Sequence, residues 1–341
     1  MVSDPFGLYI LCREENMGHL SHPSIFQGNL KKRSYFEGWY IKCLSDDLST
    51  SIAFIPGISL GKDKHAFIQI NTSEHTTEYL NFPLENFHFE KDYFAVAIDD
   101  NFFSDRGVHL SVDRPHMSLH GDLVFEDVHP FPSRFMSPGI MGWFTYVPFM
   151  KCYHGVVSMR HRIRGTLTLN GKEYDFENGI GYIEKDWGRS FPQSWIWMQA
   201  NPFQNSDASF MLSIAKVPWL GMKFTGLIGF LNFDNEVHRF ATYLSDKISQ
   251  LDQHDWGVYV LIKNHKYYLR VYAELGEGGE LIAPVNGEMS RTMKESLNSK
   301  LHIELSDRKG NVLFSDTSHI AGLEISGEID KLKINRPHGV E

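Results

Sequence analysis

The chain has 341 residues, 42% hydrophobic and 22% charged, with a formal net charge of −9, the mix of an ordinary soluble globular protein. That charge leaves no electrostatic footprint for nucleic acid. Cys12, Cys43 and Cys152 are scattered and odd in number, so they offer neither a disulfide framework nor a paired metal spacing. Asp4, Arg13, Glu14 and Glu15 break up the N-terminus, and no apolar run reaches the ~20 residues of a spanning helix. The expectation is a cytoplasmic protein without a signal peptide.

Residues 1–30 read as an irregular lead-in punctuated by Pro5, Gly7, Pro23 and Gly28. On a strand, the run Tyr35 to Lys42 places Phe36, Gly38 and Tyr40 on one face and Tyr35, Glu37, Trp39 and Ile41 on the other. Glu37 therefore falls among large apolar side chains, where an unpaired carboxylate is expensive. It must be protonated, paired to a cation or exposed at a strand end. Further strand signals follow at 51–58, 66–71, 93–98, 108–112 and 117–125, the last bending at Gly121.

From Phe135 to Met150 no residue is charged, and Pro138 and Pro148 interrupt the run. This segment is either an apolar plug for a core or a lip over a greasy pocket that makes peripheral contact with a membrane. Asn170-Gly171 between alternating runs predicts a type I′ hairpin. Arg160, Arg162 and Arg164 share a face, read as solvated. His116 and His120 are read as ordinary strand histidines without a third ligand.

The stretch Gly179 to Phe203 is the densest in chemistry. It holds Trp187, Trp195 and Trp197, with Glu184 and Asp186 flanking Lys185. Trp195, Trp197, Gln199 and Asn201 fall on one strand face, a surface of two indoles and two amides suited to a large apolar ligand with a polar end. The competing reading is a packed core strand. Strand patterns resume at 208–217, 224–233, 236–243, 256–262, 267–275, 301–305, 312–314 and 319–325, with turn signals at Asp234-Asn235 and Asn264-His265. Only 287–297 has helical spacing. Each half carries roughly the seven or eight strands that a small ligand-holding barrel needs.

No nucleophile elbow, P-loop, dinucleotide fingerprint or H-E-x-x-H motif is present. The pieces Tyr35-Phe36-Glu37-Gly38-Trp39-Tyr40-Ile41-Lys42, His154-Gly155-Val156-Val157-Ser158-Met159, Gly181-Tyr182-Ile183-Glu184-Lys185-Asp186-Trp187-Gly188, Trp195 to Phe203, and Ser318-His319-Ile320-Ala321-Gly322-Leu323-Glu324 resemble the tocopherol cyclase family, in order and over nearly the whole chain from about residue 30. The resemblance implies an all-β fold of two lipocalin-like antiparallel β-barrel domains with little helix, as in the related carotenoid hydratases and lipocalin-like Diels–Alderases. The expected division is a lead-in at 1–30, a first barrel at 31–188 and a second at 189–341. The N-terminus is read as lacking the plastid transit peptide of the plant members.

The resemblance implies acid-catalysed cyclisation or hydration of a prenylated aromatic or terpenoid lipid. Ring closure of a prenyl quinol needs a proton for an alkene and a phenol oxygen to trap the cation, so neither a redox cofactor nor a metal is expected. The acid must stay protonated near neutral pH, as burial among aromatics allows. Glu37, Asp186, Glu184 and His154 are the candidate catalytic residues, with Glu37 and Asp186 ranked first. Trp39, Tyr40, Trp187, Trp195, Trp197, Gln199 and Asn201 are the candidate substrate contacts. The alternative is a lipocalin-like carrier that binds an apolar ligand without chemistry. The sequence carries no signal for oligomeric state.

Overall fold

The computed structural model describes residues 22–134, 137–148, 150–219 and 222–333. Most of the expected lead-in, 1–21, and residues 135, 136 and 149 of the apolar segment lie outside the described residues. Among the described residues the protein is almost entirely antiparallel β-sheet, with helix confined to short 3₁₀ turns. It divides into two compact units, residues 1–191 with 279–292, and residues 192–278 with 293–341.

The first unit is built on a twelve-stranded sheet: β1 (Phe36–Leu44), β2 (Ser51–Leu60), β3 (Lys64–Thr72), β4 (Thr77–Pro83), β5 (Phe87–Phe89), β6 (Ala95–Ile98), β7 (Asn101–Ser104), β8 (Gly107–Arg114), β9 (Met117–His129), β10 (Cys152–Leu169), β11 (Lys172–Asp175) and β12 (Gly179–Gly188). The spatial order is β4-β3-β2-β1-β12-β10-β9-β8-β7-β6-β5, with β11 paired to β10. The sheet curls into a nearly closed barrel. β3 touches β6, and Leu80 and Phe82 from one edge share a core with Phe87 and Val96 from the other. The junction that completes the path is the pairing of β1 with β12, two strands about 140 residues apart in sequence but aligned without a bulge from Phe36↔Gly188 to Leu44↔Ile180.

The second sheet is ten-stranded: β13 (Trp195–Ala200), β14 (Ser209–Trp219), β15 (Met222–Phe233), β16 (Glu236–Ala241), β17 (Lys247–His254), β18 (Gly257–Lys263), β19 (Tyr267–Glu274), β20 (Gly278–Val285), β21 (Glu288–Asp307) and β22 (Val312–Ser326), all in the second unit except residues 279–292 of β20 and β21. Its path is β16-β15-β14-β13-β22-β21-β19-β18-β17, with β20 on β21. Ile196, Met198 and Ala200 of β13 point into its core with Val260, Leu269 and Ile303.

Turn chemistry follows the residues. Asn170 and Gly171 have φ of 51° and 80°, the two positive values of a type I′ turn, and Leu169 pairs with Lys172 across it. Asp234 and Asn235 repeat the pattern at 50° and 60°. Gly121 sits at φ 137°, where a Cβ would lie 2.3 Å from the Thr166 carbonyl oxygen. One expectation is corrected: 287–297 is not a helix but the start of β21. Met293, Leu297 and Leu301 are four residues apart, and four is a multiple of the strand period as well as close to one helical turn. Register shifts beyond Ser296 then blur the alternation.

A buried histidine lies between β10 and β12. His161 is fully buried, its Nδ1 is 3.0 Å from Ser158 Oγ, and its ring packs 4.3 Å from Phe125. Its Nε2 abuts Gly181, where a Cβ would approach to 2.0 Å. Burial pushes its pKa down from 6.5 to about 3. Above pH 6.5 the ring is neutral whether the chain is folded or not. Below it, only the unfolded chain takes the proton, so stability falls as pH drops from 6.5 toward 3. The expected loss between pH 6.5 and 5 is about 2 kcal/mol from this group. Denaturant titrations of wild type and His161→Asn at the two pH values check it: the variant should lose correspondingly less than wild type.

Candidate functional site

β12 presents different chemistry on its two faces. Ile183, Lys185 and Trp187 point into the first core, while Tyr182, Glu184 and Asp186 point the other way. The register sets Glu37 opposite Trp187 and Trp39 opposite Lys185.

On the inner face, Lys185 Nζ lies 2.5 Å from Glu37 Oε1, donates to the Ile25 carbonyl, and sits 4.8 Å and 4.9 Å from the rings of Trp39 and Trp187. Glu37 also accepts from Tyr35 Oη at 2.5 Å and from the backbone N–H groups of Gln27 at 2.8 Å and Gly28 at 2.9 Å. Trp39 Nε1 donates to the Ser24 carbonyl at 2.8 Å. Burial lowers the Lys185 pKa to about 8, against the opposing pull of Glu37. Glu37, Trp39 and Trp187 thus surround a buried ammonium and tie segment 24–28 to the sheet. Glu37 spends its oxygens as an acceptor of four donors.

On the outer face, His154 of β10 stands opposite Asp186, and Val156 opposite Glu184. His154 Nδ1 is 3.0 Å from Asp186 Oδ1, and Nε2 is 3.4 Å from Glu184 Oε2, long for a hydrogen bond but close for charges. Tyr182 Oη donates to Glu184 Oε2 at 2.7 Å, and Cys152 Sγ lies 3.7 Å from Asp186 Oδ1. The side chains of His154, Glu184 and Asp186 are 10%, 5% and 24% exposed. Tyr40 stands opposite Glu184 and the fully buried Lys42 opposite Tyr182 on β1.

Burial opposes charge on His154, but Glu184 and Asp186 together overcome it and hold the imidazole well above its usual 6.5. Burial, followed by the charge of Glu184, drives the Tyr182 phenol far up; burial, followed by the charge of Asp186, does the same to the Cys152 thiol. Both groups remain neutral donors. Neither was among the sequence candidates. Tyr182 was findable from the same period-two spacing that joins Glu184 to Asp186, and Cys152 lies one strand repeat before His154.

His154, Glu184 and Asp186 can each turn one atom to a common point, with those atoms within 4.8 Å of one another. A metal needs a neutral imidazole as ligand. The two carboxylates that raise the His154 pKa would favour a bound cation for the same electrostatic reason.

The remaining candidates belong to the second unit. Trp195, Trp197, Gln199 and Asn201 are all buried on the β13 face opposite its core. Trp195 Nε1 donates to Glu324 Oε2 at 2.6 Å, Trp197 stands opposite Glu324, and Gln199 Nε2 donates to Asn201 Oδ1 at 2.7 Å. Glu324 ends the Ser318–Glu324 run noted in the sequence.

The sequence model of tocopherol cyclase-like proteins matches residues 125–327, a span that contains His154, Glu184, Asp186 and the Trp195–Asn201 row. The chain belongs to the tocopherol cyclase-like family. The tocopherol cyclase of Zea mays, described as chloroplastic, is 25% identical over 199 residues, covering 54% of this chain and 41% of the maize protein. A probable chloroplastic tocopherol cyclase of Oryza sativa subsp. japonica matches equally, over 54% of this chain and 42% of its own. The chain spans about two-fifths of the length of these curated relatives. The fold of this tocopherol cyclase-like protein also matches the crystal structure of CghA with Sch210972, at a TM-score of 0.55 and 11% identity over 86% of this chain and 88% of that one. Among the described residues no helix is long and apolar enough to cross a membrane.

The inner-face pair generates a stability test. Lys185→Met leaves Glu37 buried without its cation and should cost about 3–5 kcal/mol. Adding Glu37→Gln should recover much of that loss. Equilibrium unfolding of both single variants and the double variant checks it; purely additive losses would contradict the pairing.

Proposed function

We propose that this protein is an acid-catalysed cyclase of a prenylated aromatic lipid and that Glu184, coupled to His154, is its proton donor. The observation that carries this reading is one buried imidazole with a carboxylate at each ring nitrogen. Three groups in a desolvated place cannot all carry charge cheaply. A mobile proton shared between His154 Nε2 and Glu184 relieves that cost and is available to a substrate. Asp186, bonded to Nδ1, orients the ring and keeps Nε2 turned toward Glu184. Tyr182 donates its phenol proton to Oε2, the same Glu184 oxygen that faces His154 Nε2.

The chemistry balances without an external co-reactant. The donor gives a proton to the alkene of the prenyl chain, leaving a tertiary carbocation. The phenol oxygen adds to that carbon, and the phenol proton returns to the cluster. The product is an isomer of the substrate. We assign the Tyr40 ring, one strand over from Glu184, the part of facing developing positive charge. Glu37, an acceptor in the Lys185 clamp, is assigned a structural part, as are Trp39 and Trp187. The Trp195–Asn201 row of the second unit remains our proposed contact for an apolar ligand. The names of the maize and rice relatives support a prenyl quinol as the first substrate to try. A carrier would have no use for a desolvated acid cluster, which is why the catalytic reading is preferred.

Glu184→Gln keeps shape and removes the transferable proton. It should lower turnover of a prenyl quinol by ~10²–10⁴-fold while leaving ligand binding intact. Asp186→Asn removes one of the charges that raise the His154 pKa, so the alkaline fall in rate should move to lower pH. Product analysis by mass spectrometry across a pH series measures both. Full turnover by Glu184→Gln would reject the donor assignment. Tight binding of an apolar lipid with no conversion of any prenyl quinol would replace the cyclase by a carrier.

A further inference from the structure

The segment between β9 and β10 has an inner and an outer side. Pro138, Gly139, Ile140 and Met141 are buried, and a single 3₁₀ turn spans Gly142–Tyr146. Side chains three apart eclipse in a 3₁₀ turn. Gly142 and Thr145 accordingly face inward, while Trp143 and Tyr146 face outward at 45% and 44% exposure. Trp143 stacks on Phe144 with ring centroids 4.1 Å apart.

The inner side is fastened beside the acid cluster. Met141 Sδ accepts from the His154 backbone N–H at 3.1 Å, and Tyr153 Oη donates to the Val147 carbonyl at 2.7 Å. The charge along this part of the chain also differs from the rest. The whole protein carries −9, yet no Asp or Glu occurs between Asp127 and Glu173. The exposed Arg134 and Lys151 flank the turn.

We infer that this turn is an interfacial anchor that docks the first unit on an anionic lipid surface, with Trp143 and Tyr146 at the headgroup level and Arg134 and Lys151 toward the lipid phosphates. Indole and phenol rings favour that boundary because one end is apolar and the other hydrogen-bonds. A short aromatic turn between cations suits shallow insertion. A partner protein would gain little from two half-exposed rings on so short a turn, whereas a bilayer accepts them without shape complementarity. The reason to visit lipid rests on the proposed function, since a prenylated substrate dissolves in the bilayer. The turn would then place the His154 strand next to the phase that holds the substrate.

The full chain is tested by flotation with vesicles of equal parts phosphatidylcholine and phosphatidylglycerol, and with phosphatidylcholine alone. Wild type should float with the mixed vesicles and less with the neutral ones. Trp143→Ala with Tyr146→Ala should weaken binding roughly tenfold or more, because two interfacial rings are lost. Arg134→Gln and Lys151→Gln should each weaken binding to the anionic vesicles by roughly fivefold, and added salt should have the same effect. Trp256→Ala, an equally exposed tryptophan in the second unit at 46%, serves as the control and should float as wild type does. Trp143→Ser, read alongside circular dichroism, separates lost docking from lost folding. Wild type that floats with neither vesicle, or a folded double variant that floats as well as wild type, overturns the inference. Turnover is not part of the measurement, so failure here is distinct from failure of the cyclase reading.

Discussion

The organisation of the first unit depends on one buried ion pair. Lys185 and Glu37 meet across β1 and β12, the interior pairing that joins the β1–β4 strands to the rest of the sheet. Neither charge can be left alone in that core, and each finds its partner in only one register. A slip by one residue would turn every side chain of β12 to the opposite face. Lys185 would leave Glu37, and Glu184 and Asp186 would enter a hydrophobic core. The clamp and the outer cluster are therefore consequences of a single alignment. Two indoles over the ammonium and the Ile25 carbonyl beneath it complete the compensation for burying the lysine.

Much of this was legible in the residues. Period-two reasoning separated the two faces of β1 correctly, and Asn170-Gly171 and Asp234-Asn235 announced their turns. The expense of a carboxylate between Tyr35 and Trp39 left protonation, pairing to a cation or exposure as its options, and the fold takes the pairing, with Lys185. What could not be read was the cross-strand pairing. His154 and Asp186 are 32 residues apart with a hairpin and two register irregularities between them, and only the folded alignment shows that they touch. Glu37 and Asp186 were ranked together, but Asp186 and its chain neighbour Trp187 point to opposite faces of β12. Tryptophan beside an acid in the chain therefore says little about tryptophan beside it in space. The false helix at 287–297 has the same root, since spacing by four suits both periods.

The electrostatics of the outer cluster also follow from position. Glu184, Asp186 and His154 lie on neighbouring central strands with little side-chain exposure, so water contributes little screening. In such surroundings a histidine between two carboxylates keeps its proton, and neighbouring Tyr182 and Cys152 act as donors rather than anions.

The two-faced strand has an evolutionary consequence. Residues 183, 185 and 187 answer to folding, and in the proposed reaction residues 182, 184 and 186 answer to reactivity, yet the two sets share one short segment. Outward positions can exchange one acid, phenol or amide for another without disturbing the clamp behind them. New reactions can thus be tried on a scaffold whose closure is already secured. Insertions and deletions have no such freedom: a single added residue would exchange the two sets at once. Divergence of β12 should proceed by substitution at alternate positions, with its length held constant.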